Sequence, residues 1–326
     1  MGTVIPLKKE INNSYLELKN LVGDKLDNVS QVIKYKLASE INLIHRMTDH
    51  HLKAGGKRIR PLLTLATSKL CGYEEGKRDI NLAACVELIH SATLLHDDVI
   101  DNSDLRRGIK TTNSLWGNQS SILVGDYLFS RCFELMVEDG SSEILKILSS
   151  TSSTIAQGEV LQLEHKGEID LLEENYFNII NMKTAALFAA ATRVGACITN
   201  RSKKEKDALE SYGKNLGLAF QIADDALDYY STQKIFGKEI GKDFFEGKTT
   251  MPLVIIFQKA NNEERHFLKE IFNKEKRSEE DFSETLALIN KYKAVTESLK
   301  RAEYFVNISC GALEIFEDSQ EKKILQ

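Results

Sequence analysis

A chain of 326 residues, 42% hydrophobic and 28% charged, carries ample material for a core and the surface of a globular protein. Its net charge of -5 supplies no basic field, which argues against nucleic acid as a partner. Five cysteines (Cys71, Cys85, Cys132, Cys197 and Cys310) lie far apart with no CxxC pair, so free thiols in a reducing compartment are expected.

The first residues, MGTVIPLKKEINNS, hold no apolar h-region and predict no secretory signal; Pro6 stands where N-myristoylation wants Ser or Thr. No apolar run approaches the length of a membrane span, AALFAAA from Ala185 being the most suggestive and far too short. A cytoplasmic location is the expectation. Apolar residues then recur at i, i+3, i+4, i+7 almost throughout, and strand-like alternation is nearly absent. Helices are predicted over 11–30, 32–52, 58–71, 80–103, 114–138, 142–165, 171–199 and 203–231, with shorter ones across 251–320. Leu82, Val86, Ile89 and Thr93 mark one buried face; Leu209, Tyr212, Leu216, Ala219 and Ile222 mark another. Breaks fall at Gly55-Gly56, at the Asp104–Thr112 turn and between Gly237 and Gly247. With no linker, tandem repeat or low-complexity tract, the economical expectation is a single all-α domain over 1–326.

The stretch HDDVIDNSDLRRG, from His96, crowds four aspartates ahead of two arginines. Asp97 and Asp101, at i and i+4, share a helix face, and Asp98 is offset but able to support it. Like charges at that spacing destabilise an isolated helix, so a cation is expected. An exposed acidic patch would explain one such cluster. The second, QIADDALDYY with Asp224, Asp225 and Asp228, repeats the DDxxD spacing at the end of another apolar helix, which favours a shared cation site. The ligands are hard oxygens with no zinc-type Cys/His set; His96 reads as a packed side chain. Mg²⁺ fits, since it takes few carboxylates and completes its shell with water and substrate phosphates, so a diphosphate substrate is expected.

Basic residues stand where such a substrate needs them. GGKRIRP places Lys57, Arg58 and Arg60 after a double glycine, with Pro61 suited to a first helical turn. Arg106 and Arg107 follow the first acidic helix, and Lys238, Lys242 and Lys248 follow the second. Each group alone would read as a solvated turn. As a set at the exits of both acidic helices, they suit diphosphate oxygens.

GGKRIRP, ELIHSATLLHDDVIDNSDLRRG, GDYLFSRCFELM, MKTAALFAAA, FQIADDALDYY and GKEIGKDFFEGKTTMPL stand in one order from about Gly55 to Pro252. In that string the chain resembles trans-isoprenyl (polyprenyl) diphosphate synthases, most closely the octaprenyl- and decaprenyl-type enzymes that make quinone side chains. The resemblance implies the isoprenoid synthase fold, a single large helical bundle around a central cavity, working as a homodimer. It implies that Asp97, Asp101 and Asp224 carry Mg²⁺, three ions with bound diphosphate, and that Asp98, Asp225 and Asp228 support them. Lys57, Arg60, His90 and Arg107 would hold isopentenyl diphosphate. Arg106, Lys183, Thr184, Gln221, Lys238 and Lys248 would hold the allylic diphosphate, with Lys183 also catalytic. Thr249 departs from the pattern, where relatives often carry Pro.

Product length is expected to depend on the helix beneath the first cluster. Ala92 stands five residues before Asp97, where short-chain relatives commonly carry a large aromatic, so the growing tail should pass. Phe129, Phe133 and Met136 are candidates for a deeper floor, each otherwise an ordinary core residue. A long-chain product is therefore expected, with a short-chain synthase, or a non-catalytic subunit of a heteromeric synthase, as alternatives. A terpene cyclase or head-to-head synthase would share the ionisation chemistry, but GGKRIRP and the RRG favour chain elongation. No transmembrane segment is expected, and product release would use at most a transient membrane contact. HRMTDHH, His45 to His51, reads as a polar helix end and FNKEKRSEEDF as a solvated connector.

Overall fold

A computed structural model describes residues 4–230 and 240–326. Helices follow one another in chain order: α1 (Val4–Val22), α2 (Lys25–Lys36), α3 (Asn42–Lys53), α4 (Ile59–Leu70) and α5 (Arg78–Ile100). A two-stranded hairpin, β1 (Leu105–Arg106) and β2 (Ile109–Lys110), leads to α6 (Thr112–Trp116), α7 (Asn118–Asp139) and α8 (Ser142–Glu164). Then come α9 (Glu173–Ile180), a π-helical turn (Asn181–Ala185), α10 (Ala186–Ile198) and α11 (Lys203–Asp228). The series closes with α12 (Lys242–Glu246), α13 (Met251–Lys259), α14 (Asn262–Phe272), α15 (Glu279–Lys291), α16 (Ala294–Ala312) and α17 (Gln320–Leu325).

Three predicted helices are broken where the backbone turns left-handed or leaves the helix. Gly23, with φ of 55°, ends α1 inside the stretch predicted as 11–30. The stretch 32–52 is interrupted before Asn42, and Gly117, with φ of 84°, separates α6 from α7 inside 114–138. The predicted helix 171–199 is interrupted by the π-turn at Asn181–Ala185. The connector FNKEKRSEEDF is more structured than its charge suggested. Ser278 and Asp281 form a capping box at the start of α15, and Asp281 is buried against Lys274 at 2.6 Å.

The chain divides into two compact units. The first comprises Met1–Ser152, Leu187–Gly213 and Ser309–Gln326. Its core is built on α5, which lies against α2, α4 and α7. Of the predicted buried face, Leu82, Val86 and Ile89 have no exposed surface, and Thr93 is half-buried. In α4 every residue from Pro61 to Ser68 is buried. Gly195 of α10 packs on this helix so closely that a Cβ would lie 2.3 Å from Thr67 Oγ1 and 2.7 Å from the Ser68 nitrogen.

The second unit comprises Ser153–Ala186 and Lys214–Ile308. Its apolar cluster gathers Ile222 from α11, Phe244 from α12, Met251, Leu253 and Ile256 from α13, and Leu268, Ile271 and Phe272 from α14. Phe244 packs on Phe245, Phe272 and Phe282 with ring centroids 5.4–5.7 Å apart. That aromatic group fixes α12. No helix among the described residues is long and apolar enough to cross a membrane.

Because Gly195 meets backbone as well as side chain, Gly195→Ala should over-pack the α4–α10 contact and destabilise the protein by about 3 kcal/mol. Urea unfolding measures this; an unchanged midpoint and slope would refute the close packing.

Candidate active site

In the first unit, α5 ends on the DDVID segment. Its last turn closes through the Asp101 N–H donating to the Asp97 carbonyl at 2.8 Å and Ser103 N–H to the Asp98 carbonyl at 2.9 Å. Asn102, with φ of 48°, is the left-handed residue that such a Schellman stop requires, and Asn is the usual non-glycine choice there. Asp97 and Asp101 therefore stand half-buried, one turn apart, at the negative end of the helix dipole. Asp98 turns inward and is buried. It accepts from Arg106 Nε at 2.9 Å and from Arg106 Nη2 at 2.8 Å.

Arg106 is held by the hairpin, where Leu105 pairs with Lys110 and Arg106 with Ile109. The two turn residues, Arg107 and Gly108, both have positive φ, 54° and 76°, as a tight hairpin turn demands. His50 binds the Lys110 carbonyl at 2.7 Å, and Thr111 Oγ1 donates to the Ser103 carbonyl at 2.6 Å. The guanidinium of Arg107 lies on Gly56, whose missing side chain makes the room: a Cβ there would sit 2.6 Å from Arg107 Nη1. The hairpin thus carries the expected RRG basics to the GGKRIRP loop. In that loop Arg58 adopts a left-handed conformation and caps α4, and Arg60 lies over the Phe188 ring at 4.5 Å. Lys57 is exposed, with its ammonium 6.0 Å from the Tyr15 ring.

Beneath these cations lies Glu87 of α5, buried and 3.3 Å from Arg58 Nη1. Burial pushes its carboxyl pKa up, and Arg58, Arg60 and Arg107 oppose that shift. Burial drives the His90 imidazole well below its ordinary value, and Arg60, Arg106, His51 and Arg107 push the same way. His51 is likewise lowered to about 3 by burial and by Arg106, Arg58 and Arg107. Both imidazoles stay neutral beside the arginines and can donate one hydrogen bond each without adding charge.

Of the chain-length candidates, Ala92 is fully buried in α5 and Met136 is in the core of the unit. Phe129 is half-buried and stacks on His96 with centroids 6.1 Å apart. Phe133 is 48% exposed on α7. His96 is a packed side chain: it lies on Gly125, where a Cβ would come within 2.2 Å, and meets the Ile122 carbonyl at 3.2 Å.

In the second unit, a cavity of about 100 Å³ is lined by Gln162, Tyr176, Lys183, Thr184, Gln221, Asp225, Asp243 and Lys248, among others. The π-turn contributes Lys183 and Thr184. A widened turn of this kind displaces side chains from the regular helical path and is frequent at functional sites. Lys183 Nζ donates to Glu159 at 2.7 Å and to Gln162 at 2.8 Å. Thr184 donates to Gln221 Oε1 at 2.9 Å, and Gln221 Nε2 donates to Asp225 Oδ1 at 2.7 Å. The other Asp225 oxygen accepts from the Tyr176 hydroxyl at 2.6 Å and from the Met251 N–H at 3.4 Å.

Asp225 is thus turned into the protein, as Asp98 is in the first unit, while Asp224 and Asp228 stand half-buried at the C-terminal end of α11. Asp228 accepts from the Asp243 N–H at 3.0 Å, which tethers α12 to the acidic helix. Burial pushes the Asp243 carboxyl up, Asp228 and Asp225 add to that, and Lys248 opposes it. Lys248 pairs with Glu246 at 2.8 Å, and Thr249 donates to the Glu168 carbonyl at 2.8 Å. Lys238 lies outside the described residues.

The first-unit residues named from the sequence are therefore brought together around α5, and those of the second around the π-turn and α11. Several neighbours went unnoticed. His51 was assigned to a polar helix end, yet it faces the arginines. Glu87 was signalled only as a lone carboxylate in the apolar run AACVELIHSATLL, and Glu159 and Gln162 only as polar residues one turn apart after Gly158. In the sequence Tyr176 carries no signal beyond an aromatic among apolar residues, and Asp243 stands among the lysines of GKDFFEGK.

The sequence profile of the polyprenyl synthetase family matches residues 41–289, and the chain belongs to that family. It is 36% identical over 319 residues to octaprenyl diphosphate synthase of Haemophilus influenzae, covering 98% of this chain and 96% of the relative. It is 37% identical over 284 residues to a short chain isoprenyl diphosphate synthase of Methanothermobacter thermautotrophicus, covering 86% of each. A decaprenyl diphosphate synthase from Rhodobacter capsulatus superposes with TM-score 0.90 and 40% identity over 95% of this chain and 96% of that one. A polyprenyl synthase from Caulobacter crescentus, complexed with calcium and isoprenyl diphosphate, gives TM-score 0.91 and 40% identity over 95% and 94%. The fold is the all-α isoprenoid synthase fold, and the protein is a prenyltransferase.

The lowered imidazoles set a pH dependence of stability. A histidine whose folded pKa is depressed contributes stability that is complete above its ordinary value of 6.5 and lost as pH falls toward about 3. Unfolding free energy from urea titrations should therefore fall between about pH 7 and about pH 4. His51→Gln should make that fall shallower. Identical slopes for the two proteins would show that His51 ionises freely in the fold.

Proposed function

We propose that the protein is a long-chain all-trans polyprenyl diphosphate synthase that condenses isopentenyl diphosphate head-to-tail onto an allylic diphosphate. Octaprenyl or decaprenyl diphosphate is the product we favour, for quinone side chains. The observation that carries the length assignment is Ala92: the buried position beneath the first acidic cluster holds a methyl group and no aromatic ring. Full-length similarity to octaprenyl and decaprenyl synthases supports the same reading. The short-chain synthase at 37% identity keeps a short-chain product, farnesyl or geranylgeranyl diphosphate, as the second reading.

The donor set fits magnesium. Within each cluster, at the end of α5 and at the end of α11, the carboxylates oppose the helix dipole and one another, an arrangement that a hard divalent cation stabilises. Asp97, Asp101 and Asp224 would hold Mg²⁺, three ions in all with diphosphate; Asp98, Asp225 and Asp228 orient the helix ends around them. When bound, Mg²⁺ draws charge from the diphosphate and makes it a better leaving group.

The chain's own residues do the rest. Lys183, Lys248, Lys238, Thr184 and Gln221 hold the allylic diphosphate, with Arg106 added from its place beside Asp98. Lys57, Arg60, His90 and Arg107 hold isopentenyl diphosphate, with Glu87 keeping the arginines apart and oriented. The allylic C–O bond breaks with both electrons leaving on the diphosphate, whose new charge Lys183 and Lys248 offset. The double bond of isopentenyl diphosphate supplies the electrons of the new C–C bond, and the released diphosphate takes the proton lost from the adjacent carbon. No side-chain base is needed. Apolar helix faces exclude the water that would quench the cation. Function as a homodimer belongs to this reading, and so does a cytoplasmic location, which five free thiols suit.

Purified protein given Mg²⁺, farnesyl diphosphate and labelled isopentenyl diphosphate tests the proposal through chromatography of the dephosphorylated alcohols. The expected product is octaprenyl or longer, and Ala92→Phe should shorten it sharply. A product that stops at geranylgeranyl in the unaltered protein would favour the second reading. An unchanged product in Ala92→Phe would remove Ala92 from the tail's path.

A further inference from the structure

Lys183 lines the second-unit cavity with its ammonium held by two acceptors, and the structure assigns a purpose to what holds it. Helix α8 comes so near the π-turn at Gly158 that a Cβ there would lie 2.8 Å from both the Lys183 nitrogen and Met182 Cβ. The next residue along α8 is Glu159, and Gln162 follows one turn from Gly158. Both reach the Lys183 ammonium, at 2.7 and 2.8 Å. One helix thus presses on the backbone of the widened turn and clasps its lysine at the tip. The pair is also sheltered, with the side chains of Lys183 and Glu159 only 23% and 18% exposed. It is not one of the solvated surface pairs that contribute little.

We propose that Glu159 is a positioning residue for prenyl transfer, holding the Lys183 ammonium in the orientation in which it meets the allylic diphosphate. The proposal rests on the reading that Lys183 binds that diphosphate. A lysine chain is long and flexible, so a cation that must meet charge developing on a departing oxygen gains from being placed beforehand. Gln162 supplies a neutral second acceptor. Glu159 supplies a charged one, which adds the attraction of an ion pair to the hydrogen bond. Glu159 itself touches Lys183 and acts through it.

The test is a double-mutant cycle on the full-length protein with steady-state kinetics in each substrate. Glu159→Ala should lower kcat/KM for the allylic diphosphate by about 10- to 100-fold, the scale of a misplaced catalytic group. The KM for isopentenyl diphosphate should hardly change. Glu159→Gln, whose amide oxygen can still accept from Lys183, should recover most of the loss. In a Lys183→Ala background, Glu159→Ala should cost nothing more, because its target is gone. Losses that multiply in the double mutant, or a parallel rise in the KM for isopentenyl diphosphate, would overturn the proposal and leave Glu159 a packing residue. If Lys183→Ala alone leaves both allylic parameters unaltered, the reading of Lys183 as a diphosphate ligand fails first, and the role of Glu159 fails with it.

Discussion

Negative charge collected at the wrong end of a helix is the constraint on which the rest of the structure depends. Helices α5 and α11 each finish on three aspartates, where the backbone carbonyls already concentrate partial negative charge. In each unit the middle aspartate is withdrawn into the protein and satisfied there. Asp98 is taken by Arg106, and Asp225 by Tyr176, Gln221 and the Met251 N–H. The outer carboxylates remain half-buried at the helix ends. The inward aspartates fix the helix ends, and on the reading proposed above Asp97, Asp101 and Asp224 would hold the cations.

The cations are treated with matching economy. In the first unit Arg58 pairs with the buried Glu87 and Arg106 with Asp98, and lysines in the second unit rest on Glu159 and Glu246. A cluster of like-charged groups without such partners would repel itself and lose its geometry before a diphosphate arrived. A paired side chain is held in place, and on the reading proposed above a diphosphate would compete with a protein carboxylate rather than with bulk water. Neutral His51 and His90 complete the first-unit group without adding to its charge. The backbone serves the same end: Gly56 opens a seat for Arg107, and the hairpin places Arg106 and Arg107 by its two-residue turn.

Much of this was legible in the sequence because helix period and charge spacing are local. The buried face of α5 follows directly from Leu82, Val86 and Ile89, and the DDxxD spacing alone set its aspartates on one face. Single glycines with positive φ, Gly23 and Gly117, broke helices whose apolar pattern ran on, since periodicity does not register one left-handed residue. The π-turn escaped for a related reason: one extra residue in a turn leaves the 3.6 pattern nearly intact. Glu87, Glu159, Tyr176 and Asp243 were illegible because their meaning lies in partners distant in sequence. A carboxylate in an apolar run announces an unmet need and does not name the cation that meets it.

The most direct measurement is the rate of prenyl transfer from an allylic diphosphate to labelled isopentenyl diphosphate with every divalent ion chelated, then with Mg²⁺ restored. The account predicts no turnover under chelation and full recovery on adding Mg²⁺. Undiminished turnover in the chelated protein would contradict it, because the outer aspartates would then be serving some purpose other than holding metal.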